Sequence, residues 1–170
     1  MEKLGEEFYS RDSLEVARDC VGKLLCRRLP DGSVMRLRIS EAEAYRGEWD
    51  SACHASRGKT ARSAMLWEKP GTVYVYLCYG MHWMLNVITG EEGEAQGVLI
   101  RACLEAPGPG RLTKRLRIGR ELNGGSFLGS ELWLEDDGSR PDVLTAPRVG
   151  IDYAAEQDRS APWRFIGKFR

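Results

Sequence analysis

The sequence of 170 residues predicts an α+β fold built around an antiparallel sheet. Segments with the alternation of β-strands dominate, short turns of the hairpin type join them, and helical patterns are few and short. The length is that of one domain with room for a core, so a single domain is expected over residues 1–170.

The first half of the chain predicts one helix and one hairpin. A short helix is expected over 13–20, capped by Asp12 or Ser13. The apolar runs 23–29 and 34–45 flank Pro30-Asp31-Gly32, a sequence typical of a tight turn between two strands. Residues 46–70 show no clean periodicity and are predicted to form a long, ordered loop.

The second half predicts another hairpin over 74–88, followed by an acidic turn over 90–97. The run "GVLIRACL" at 97–104 is typical of a buried strand, and Gly108-Pro109-Gly110 interrupts the chain before a basic helix over 111–118. A further strand is expected within 130–136.

The tip of the hairpin at 74–88 has an unexpected composition. It reads Tyr79-Gly80-Met81-His82, although hairpin tips face water and are normally polar. Either the tyrosine ring folds back onto the sheet, or it is available to a binding partner.

Charge is balanced overall but segregated along the chain. The 25 basic residues match 25 acidic ones, yet residues 111–120 hold five basic residues and no acid. Residues 57–69 are also basic, whereas acids gather at 91–94 and 131–137. This distribution predicts either a basic face for a polyanion or ordinary solvated faces.

Cysteine and histidine usage argues against a disulfide framework or a structural zinc site. The five cysteines are an odd number without a C-x-x-C pair, and His54 and His82 lie far apart. Most of the cysteines are expected to be small buried hydrophobes. No stretch reaches the length of a membrane span and no signal peptide is evident, so a cytosolic protein, or a nuclear one in a eukaryote, is expected.

The strand at 34–45 contains the first candidate for catalysis. Met35, Leu37 and Ile39 form an apolar face, and strict alternation puts Glu41, Glu43 and Tyr45 on that same inward side. A carboxylate there must be hydrogen-bonded or have a raised pKa. It is either a salt-bridge partner at the strand end or a general base in a cleft.

Six segments in order give the sequence a specific resemblance. They are "EAEAY" with a histidine nine residues after its tyrosine, "KPGTVYVYLCYGMHWMLNV", "GVLIRA", "GPGRLTKRL", "PRVGIDYA" and "PWRF". From about residue 10 onward the chain resembles the alkyladenine DNA glycosylase family, the mammalian-type 3-methyladenine DNA glycosylases, which also occur in bacteria.

The resemblance implies a single compact α+β domain with a curved antiparallel sheet and a protruding hairpin that enters the DNA minor groove. It implies a monofunctional glycosylase that flips damaged purines out of duplex DNA and hydrolyses the N-glycosidic bond, which starts base excision repair. The expected lesions are 3-methyladenine and 7-methylguanine, with hypoxanthine and ethenoadenine as further candidates. A monomer without metal, cofactor or membrane attachment is implied, located with the nucleoid in a bacterium or in the nucleus of a eukaryote.

Roles carry over to matching positions. In the catalytic set, Glu43 corresponds to the general base, while Arg101 and the backbone carbonyl of Val149 correspond to groups that hold the attacking water. In the base pocket, Tyr45 and His54 correspond to rings on one face of the flipped base and Tyr76 to the ring on the other. The backbone N–H of His54 would read the base edge, and Asn86 would crowd the exocyclic amine of normal guanine.

The resemblance also implies a DNA-binding set. Tyr79 corresponds to the wedge that fills the gap left by the flipped nucleotide. Thr60, Arg62 and Met81 fall near DNA-contacting positions, and Lys114 and Arg115 of the basic helix are expected to meet phosphates. The connection 102–107 is shorter than is usual in the family, which is expected to reduce DNA contact or change the lesion range.

Other interpretations of these residues stay open at this point. Tyr45 and Tyr76 would be core rings, Asn86 a satisfied buried amide, and Arg101 the partner of a glutamate. A non-enzymatic nucleic-acid binding module would share the basic helix and the tip. A metal-dependent phosphodiesterase would use Glu41, Glu43 and Asp50.

Overall fold

The computed structural model describes residues 1–170 and contains one sheet of nine strands with short helices on it. The elements in chain order are β1 (Glu2–Lys3), α1 (Glu6–Tyr9), α2 (Ser13–Cys20), β2 (Leu24–Arg28), β3 (Val34–Tyr45), β4 (Val73–Cys78), β5 (His82–Thr89), β6 (Gln96–Cys103), α3 (Pro109–Arg115), β7 (Leu132–Asp136), β8 (Asp142–Ala146), α4 (Glu156–Arg159) and β9 (Arg164–Lys168). Three 3-10 helical turns lie at His54–Arg57, Ala64–Trp67 and Arg120–Leu122. The predicted α+β class is confirmed.

Every strand pair is antiparallel, and the main order is β1-β7-β2-β3-β6-β5-β4. β9 joins the sheet beside β3 and carries β8 at its outer edge. The long strand β3 pairs with β2 through its first half and with β6 and β9 through its second half. The sheet curls into a half-barrel, and β3 therefore runs through both of its halves.

An irregularity in β3 overturns the predicted orientation of its carboxylates. The pairing with β6 shifts register between Ile39 and Ala42. Ile39 belongs to the main core, but beyond the irregularity it is Ala42 and Ala44 that do so. The prediction that Glu43 shares a face with Leu37 and Ile39 is therefore wrong, because a bulge reverses the alternation. Glu43 is still fully buried, with 0% exposure, on the opposite side of the sheet.

The two faces of the sheet are covered by different parts of the chain. The main core of 26 buried residues joins the helices to one face, with Val16 and Ala17 of α2 and Leu112 of α3 among them. Asp12 caps α2, since its carboxylate accepts a hydrogen bond from the Leu14 N–H at 2.9 Å. The segment 46–70, which has no strand as predicted, adds a smaller cluster on the other side of β4 and β5.

The basic helix is displaced from its predicted bounds. It begins at Pro109, a residue suited to the first turn of a helix, and it ends at Arg115. Arg117 has a positive φ of 53°, which turns the chain out of the helix. The five cysteines are free, and only Cys78 is partly exposed. No helix in the structure is long and apolar enough to cross a membrane.

Candidate active site

A cavity of about 760 Å³ opens on the face of the sheet away from α2. Small-molecule sites typically enclose roughly 300–1,000 Å³. Its walls come from the end of β3, the segment 52–66, the β4–β5 hairpin, β6, the start of α3 and the segment 149–153. The bulge in β3 contributes directly, because it turns Tyr45 to this side.

The carboxylate of Glu43 is held behind one wall of this cavity. One oxygen accepts a hydrogen bond from the Tyr45 hydroxyl and the other from the Val149 N–H, both at 2.9 Å. The Arg101 Nε lies 3.5 Å from the second oxygen. Burial raises the pKa of Glu43, while Arg101 and the two hydrogen bonds oppose that rise.

Glu43 itself does not line the cavity, but Tyr45, Arg101 and Val149 all do. The structure thus brings the predicted catalytic set together around one carboxylate. Arg101 does pair with a glutamate, as one interpretation supposed, and that glutamate is Glu43. The group of Val149 that contacts Glu43 is its N–H, and the role of its carbonyl stays a prediction.

Two predicted pocket rings, those of His54 and Tyr76, contact each other. Their centroids lie 4.6 Å apart with an angle of 60° between the ring planes. A flat base cannot lie between rings in contact, so the expectation that they flank opposite faces of a base does not hold in this arrangement. His54 Nδ1 is also hydrogen-bonded to the Tyr74 hydroxyl at 2.8 Å.

Burial keeps the rings of His54, Tyr45 and Tyr76 neutral near pH 7. It lowers the pKa of His54 to about 4, with help from the positive charges of Arg62 and Arg57. Burial likewise raises the pKa of the Tyr45 and Tyr76 hydroxyls, and Glu43 raises that of Tyr45 further. The Tyr45 hydroxyl therefore remains a hydrogen-bond donor to Glu43.

Asn86 is buried and lines the same cavity. Its side-chain amide donates to the carbonyls of Tyr74 and Met84, both at 3.3 Å. The interpretation of Asn86 as a satisfied amide thus holds for its nitrogen. These two bonds fix the side chain between neighbouring strands, at the surface that a bound molecule would meet.

The hairpin tip projects into solvent. Tyr79 is 87% exposed and Met81 73% exposed, so the tyrosine ring is not folded back onto the sheet. Tyr79 and Gly80 both have positive φ, 53° and 65°, and the Met81 N–H closes the turn on the Cys78 carbonyl. A tyrosine with positive φ is strained, on the order of 1–3 kcal/mol. Glycine or asparagine would suit this position better.

Positive charge surrounds the cavity. Four arginines line it, Arg57, Arg62, Arg101 and Arg111, and no aspartate or glutamate does. Arg62 also donates to the Leu77 carbonyl at 2.8 Å and lies 5.6 Å over the Tyr76 ring, which ties the segment 57–63 to the hairpin. Positive charge around the cavity favours a polyanionic partner at this surface.

The remaining predicted DNA contacts lie outside the cavity lining. Thr60 is exposed and closes a local turn through a 3.0 Å hydrogen bond between its hydroxyl and that of Ser63. Lys114 and Arg115 are exposed near the end of α3, about one helical turn from Arg111 at the cavity.

The carboxylates of the phosphodiesterase interpretation do not assemble into a metal site. Glu41 lies 3.4 Å from Arg164, and Asp50 is paired with Arg148. No group of three or more His, Cys, Asp or Glu residues is placed to hold a metal ion. Glu41 therefore fits the salt-bridge interpretation; Glu43 also pairs with Arg101, but its carboxylate is fully buried at the wall of the cavity.

Several residues of this site were not predicted from the sequence. Arg148 stands directly before Val149, and its guanidinium lies 4.8 Å over the Tyr45 ring. Tyr74 anchors His54, and Tyr153 lies at the cavity with its hydroxyl bonded to the Ala52 carbonyl at 2.7 Å. Only the position of Arg148 within "PRVG" could have drawn attention to it.

Comparison with known proteins gives a consistent result along the chain. The family model described as "Methylpurine-DNA glycosylase (MPG)" matches residues 7–106 and 104–169. A predicted 3-methyladenine DNA glycosylase of Methanocella arvoryzae is 45% identical, with 99% of this chain and 94% of the relative covered. Similar proteins with the same description occur in Chlorobaculum parvum, 42% identical over 96% of this chain and 87% of the relative, and in Desulfitobacterium hafniense, 40% identical over 97% and 95%.

Proposed function

The chain belongs to the methylpurine-DNA glycosylase family, and from that membership we propose a mechanism. The protein is a 3-methyladenine DNA glycosylase, an enzyme that hydrolyses N-glycosyl bonds in base excision repair. The enzyme flips an alkylated purine into the cavity and releases it by attack of a water that Glu43 activates. The observation that carries this proposal is the wholly buried Glu43 carboxylate, held by two hydrogen bonds at the wall of an aromatic, arginine-lined cavity.

The proposed reaction is a single displacement at C1′ of the deoxyribose. The bond from C1′ to the purine nitrogen breaks and its electron pair leaves with the base, while the water oxygen bonds to C1′. The water proton passes to Glu43. Alkylation at N3 or N7 makes the purine cationic and hence a good leaving group, and the carboxylate stabilises the positive charge that develops on the sugar.

Cationic lesions are the preferred substrates in this proposal. No aspartate or glutamate lines the cavity, so no carboxylic acid there could protonate a neutral leaving group. Hypoxanthine and ethenoadenine are therefore expected to react more slowly than 3-methyladenine or 7-methylguanine. No pocket lysine is available for a Schiff base, so strand cleavage is not part of the reaction.

We propose a revised arrangement of the rings around the flipped base. Tyr45 is assigned to one face, and the contacting pair His54 and Tyr76 to the other. Asn86, fixed by its two backbone contacts, is proposed to crowd the exocyclic amine of guanine. The backbone N–H of His54 is proposed to read the base edge.

The DNA interface is proposed to surround the cavity mouth. The exposed Tyr79 enters the minor groove as a wedge, with Met81 beside it. Arg62 and Thr60 approach the DNA near the lesion, and Lys114 and Arg115 approach phosphates farther away. The tight connection at 102–107, closed by the Cys103 N–H on the Ala106 carbonyl, leaves little chain there to contact DNA. The protein is proposed to act as a monomer.

The decisive experiment uses duplexes that each carry one defined lesion, scored for abasic sites after incubation. Release of 3-methyladenine or 7-methylguanine, unaffected by chelator, is the expected result. Binding without base release would favour a non-enzymatic module. Cleavage of phosphodiester bonds that chelator abolishes would favour a metal-dependent nuclease.

The rate of base release is expected to depend on the ionisation of Glu43. Only the carboxylate can accept the water proton, and burial raises its pKa. Single-turnover rates should therefore fall as the pH decreases, starting above about 4.3, where an ordinary glutamate titrates. A profile that stays flat down to pH 4.3 would contradict the assignment of Glu43.

Binding is expected to weaken with salt through the cations of 57–69 and α3. Each phosphate contact releases counterions, so log affinity falls linearly with log salt concentration. Changing both Lys114 and Arg115 to alanine should reduce the magnitude of the slope of log affinity against log salt by roughly one to two, without altering lesion preference. Alanine at Lys168 and Arg170, which lie away from the cavity lining, is the matched control. An unchanged slope in the α3 variant would show that this helix does not meet DNA.

A further inference from the structure

A completely buried ion pair lies directly behind the candidate active site. The side chains of Asp50 and Arg148 are both 0% exposed. Two hydrogen bonds join the guanidinium to the carboxylate at 2.7 and 2.9 Å. Arg148 further donates to the carbonyl of Ala44 at 3.0 Å and to that of Asp158 at 3.3 Å.

The guanidinium of Arg148 connects the two groups that hold Glu43. It lies 4.8 Å from the centre of the Tyr45 ring and 4.9 Å from that of the Trp163 ring. The Tyr45 hydroxyl donates to one Glu43 oxygen. The residue after Arg148 in the chain is Val149, whose N–H donates to the other. Both hydrogen bonds to the carboxylate thus depend on where Arg148 sits.

Asp50 extends this link to the segment that carries His54. Its carboxylate accepts the backbone N–H of Arg46 at 2.9 Å and that of Ala52 at 3.1 Å. One ion pair therefore fixes the end of β3, the start of the loop toward His54, and the segment that contains Val149. These three segments form the wall around Glu43.

Fold stability alone does not require such a pair. Burying two charges costs solvation, and apolar residues of similar size often replace a buried ion pair without loss of stability. Here the Nε of Arg148 is also buried without a hydrogen-bond partner, which adds to the cost. The ion pair fixes the positions of the neighbouring groups through directed hydrogen bonds, which apolar side chains would not do.

We propose that Arg148, fixed by Asp50, is a positioning residue that holds Glu43 and Tyr45 in the geometry required for base release. This inference rests on the proposed role of Glu43 as general base. Arg148 touches neither the water nor the base in this assignment, and it acts through the Tyr45 ring and the Val149 N–H. Displacement of a reacting group by about 1 Å is enough to cost roughly a hundredfold in rate.

The test compares Arg148→Lys, Asp50→Asn and the double variant Asp50→Asn with Arg148→Met. Each is expected to slow single-turnover base release by roughly ten- to a hundredfold. Binding to DNA with an abasic site should be unchanged, because the cavity mouth and the hairpin tip are intact. Thermal unfolding confirms that each variant is folded at the assay temperature. The double variant leaves no unpaired buried charge and serves if the single variants unfold.

The pH profile separates positioning from a purely structural role. The charged and titratable groups around Glu43 are Arg101 of β6, Arg148, Tyr45 of β3 and Tyr76 of β4. Arg148→Met alone removes a positive charge, so the acid limb should move to higher pH. Arg148→Lys retains the charge, so its acid limb should lie at the wild-type pH although its maximal rate stays low. The charge-balanced double variant should likewise have its acid limb at the wild-type pH and a low maximal rate.

A matched control is Arg38→Lys, because Arg38 forms a comparable two-bond pair with Asp137, at 2.8 and 2.7 Å, away from the cavity. Arg38→Lys should leave the rate of base release and its pH profile unchanged.

Wild-type rates in Arg148→Lys and in the double variant would overturn the positioning role. If Glu43→Gln also releases the base at the wild-type rate, the assignment of Glu43 as general base fails. If the Arg148 variants release the base at the wild-type rate and Glu43→Gln does not, Glu43 remains the general base and the ion pair is structural.

Discussion

Replacing Glu43 with glutamine is expected to abolish base release while leaving binding to abasic-site DNA largely intact. Glutamine keeps the shape of the side chain but cannot accept the proton of the attacking water. A positioned general base contributes roughly a hundred- to ten-thousandfold in rate, and loss of the charge that faces the sugar adds to this. Single-turnover release of 7-methylguanine measures the chemical step directly.

Glu41→Gln is the matched control for this experiment. Glu41 lies two positions earlier on the same strand, partly exposed and paired with Arg164 at 3.4 Å. The Glu41→Gln variant should release the base at the wild-type rate. A Glu43→Gln variant with a rate near wild type, or a Glu41→Gln variant as slow as Glu43→Gln, would contradict the assignment.

The same substitution should change how stability depends on pH. Burial raises the pKa of Glu43 in the folded state, so the folded protein binds its proton more tightly than the unfolded chain does. This contribution to stability is complete below the unfolded pKa, about 4.3 for glutamate, and is lost as the pH rises through the folded pKa. Glutamine has no such titration, and the difference between the two unfolding curves should follow that window.

The hairpins were predictable because local chemistry specifies them. Alternating apolar residues on both sides of Pro30-Asp31-Gly32 and of Tyr79-Gly80 determine strands and turns within a few residues. The strand β8 was missed because it is an exposed edge strand with little alternation of burial, paired only with β9. Its partner lies some twenty residues further along the chain, beyond the reach of a local pattern.

The orientation of Glu43 was not predictable from alternation. The bulge near Glu41 depends on the pairing of β3 with β6, and one irregular residue reverses every later side chain. Family resemblance identified Glu43 as the candidate base, but it gave no indication that the residue lies across the sheet from Ile39. The contact between His54 and Tyr76 likewise depends on how the loop at 46–70 folds over β4.

Arg148 shows the limit of reasoning from residue type. An arginine in a loop near the C-terminus is most often a solvated charge. Its burial follows from Asp50, nearly a hundred positions earlier, and from two aromatic rings, that of Tyr45 at the end of β3 and that of Trp163 just before β9. Only the assembled fold brings these groups together.

Replacing Tyr79 with alanine is expected to impair extrusion of the damaged nucleotide and not the chemistry. The exposed ring is proposed to occupy the space that the flipped base leaves in the stack, and stacking of a base on an aromatic ring is worth roughly 1–3 kcal/mol. Specific binding should therefore weaken by about tenfold to a hundredfold. A fluorescent base analogue at the lesion reports extrusion directly.

The conformation of the tip provides a second variant that separates function from folding. Tyr79 has a φ of 53°, which asparagine tolerates better than tyrosine does. Tyr79→Asn should therefore unfold at a higher temperature than Tyr79→Ala, yet bind lesion DNA equally poorly. Equal loss of binding in a more stable variant would assign the defect to the missing ring rather than to a disordered hairpin.

A mismatch opposite the lesion should reveal the step at which Tyr79 acts. A poorly stacked base needs less energy to leave the helix, so the defect of Tyr79→Ala should become smaller there. Glu43→Gln should show no such rescue, because its defect follows extrusion. If Tyr79→Ala extrudes the fluorescent base normally and loses only cleavage, the tip is not a wedge. The strained and exposed tyrosine would then have to act on the bound base itself.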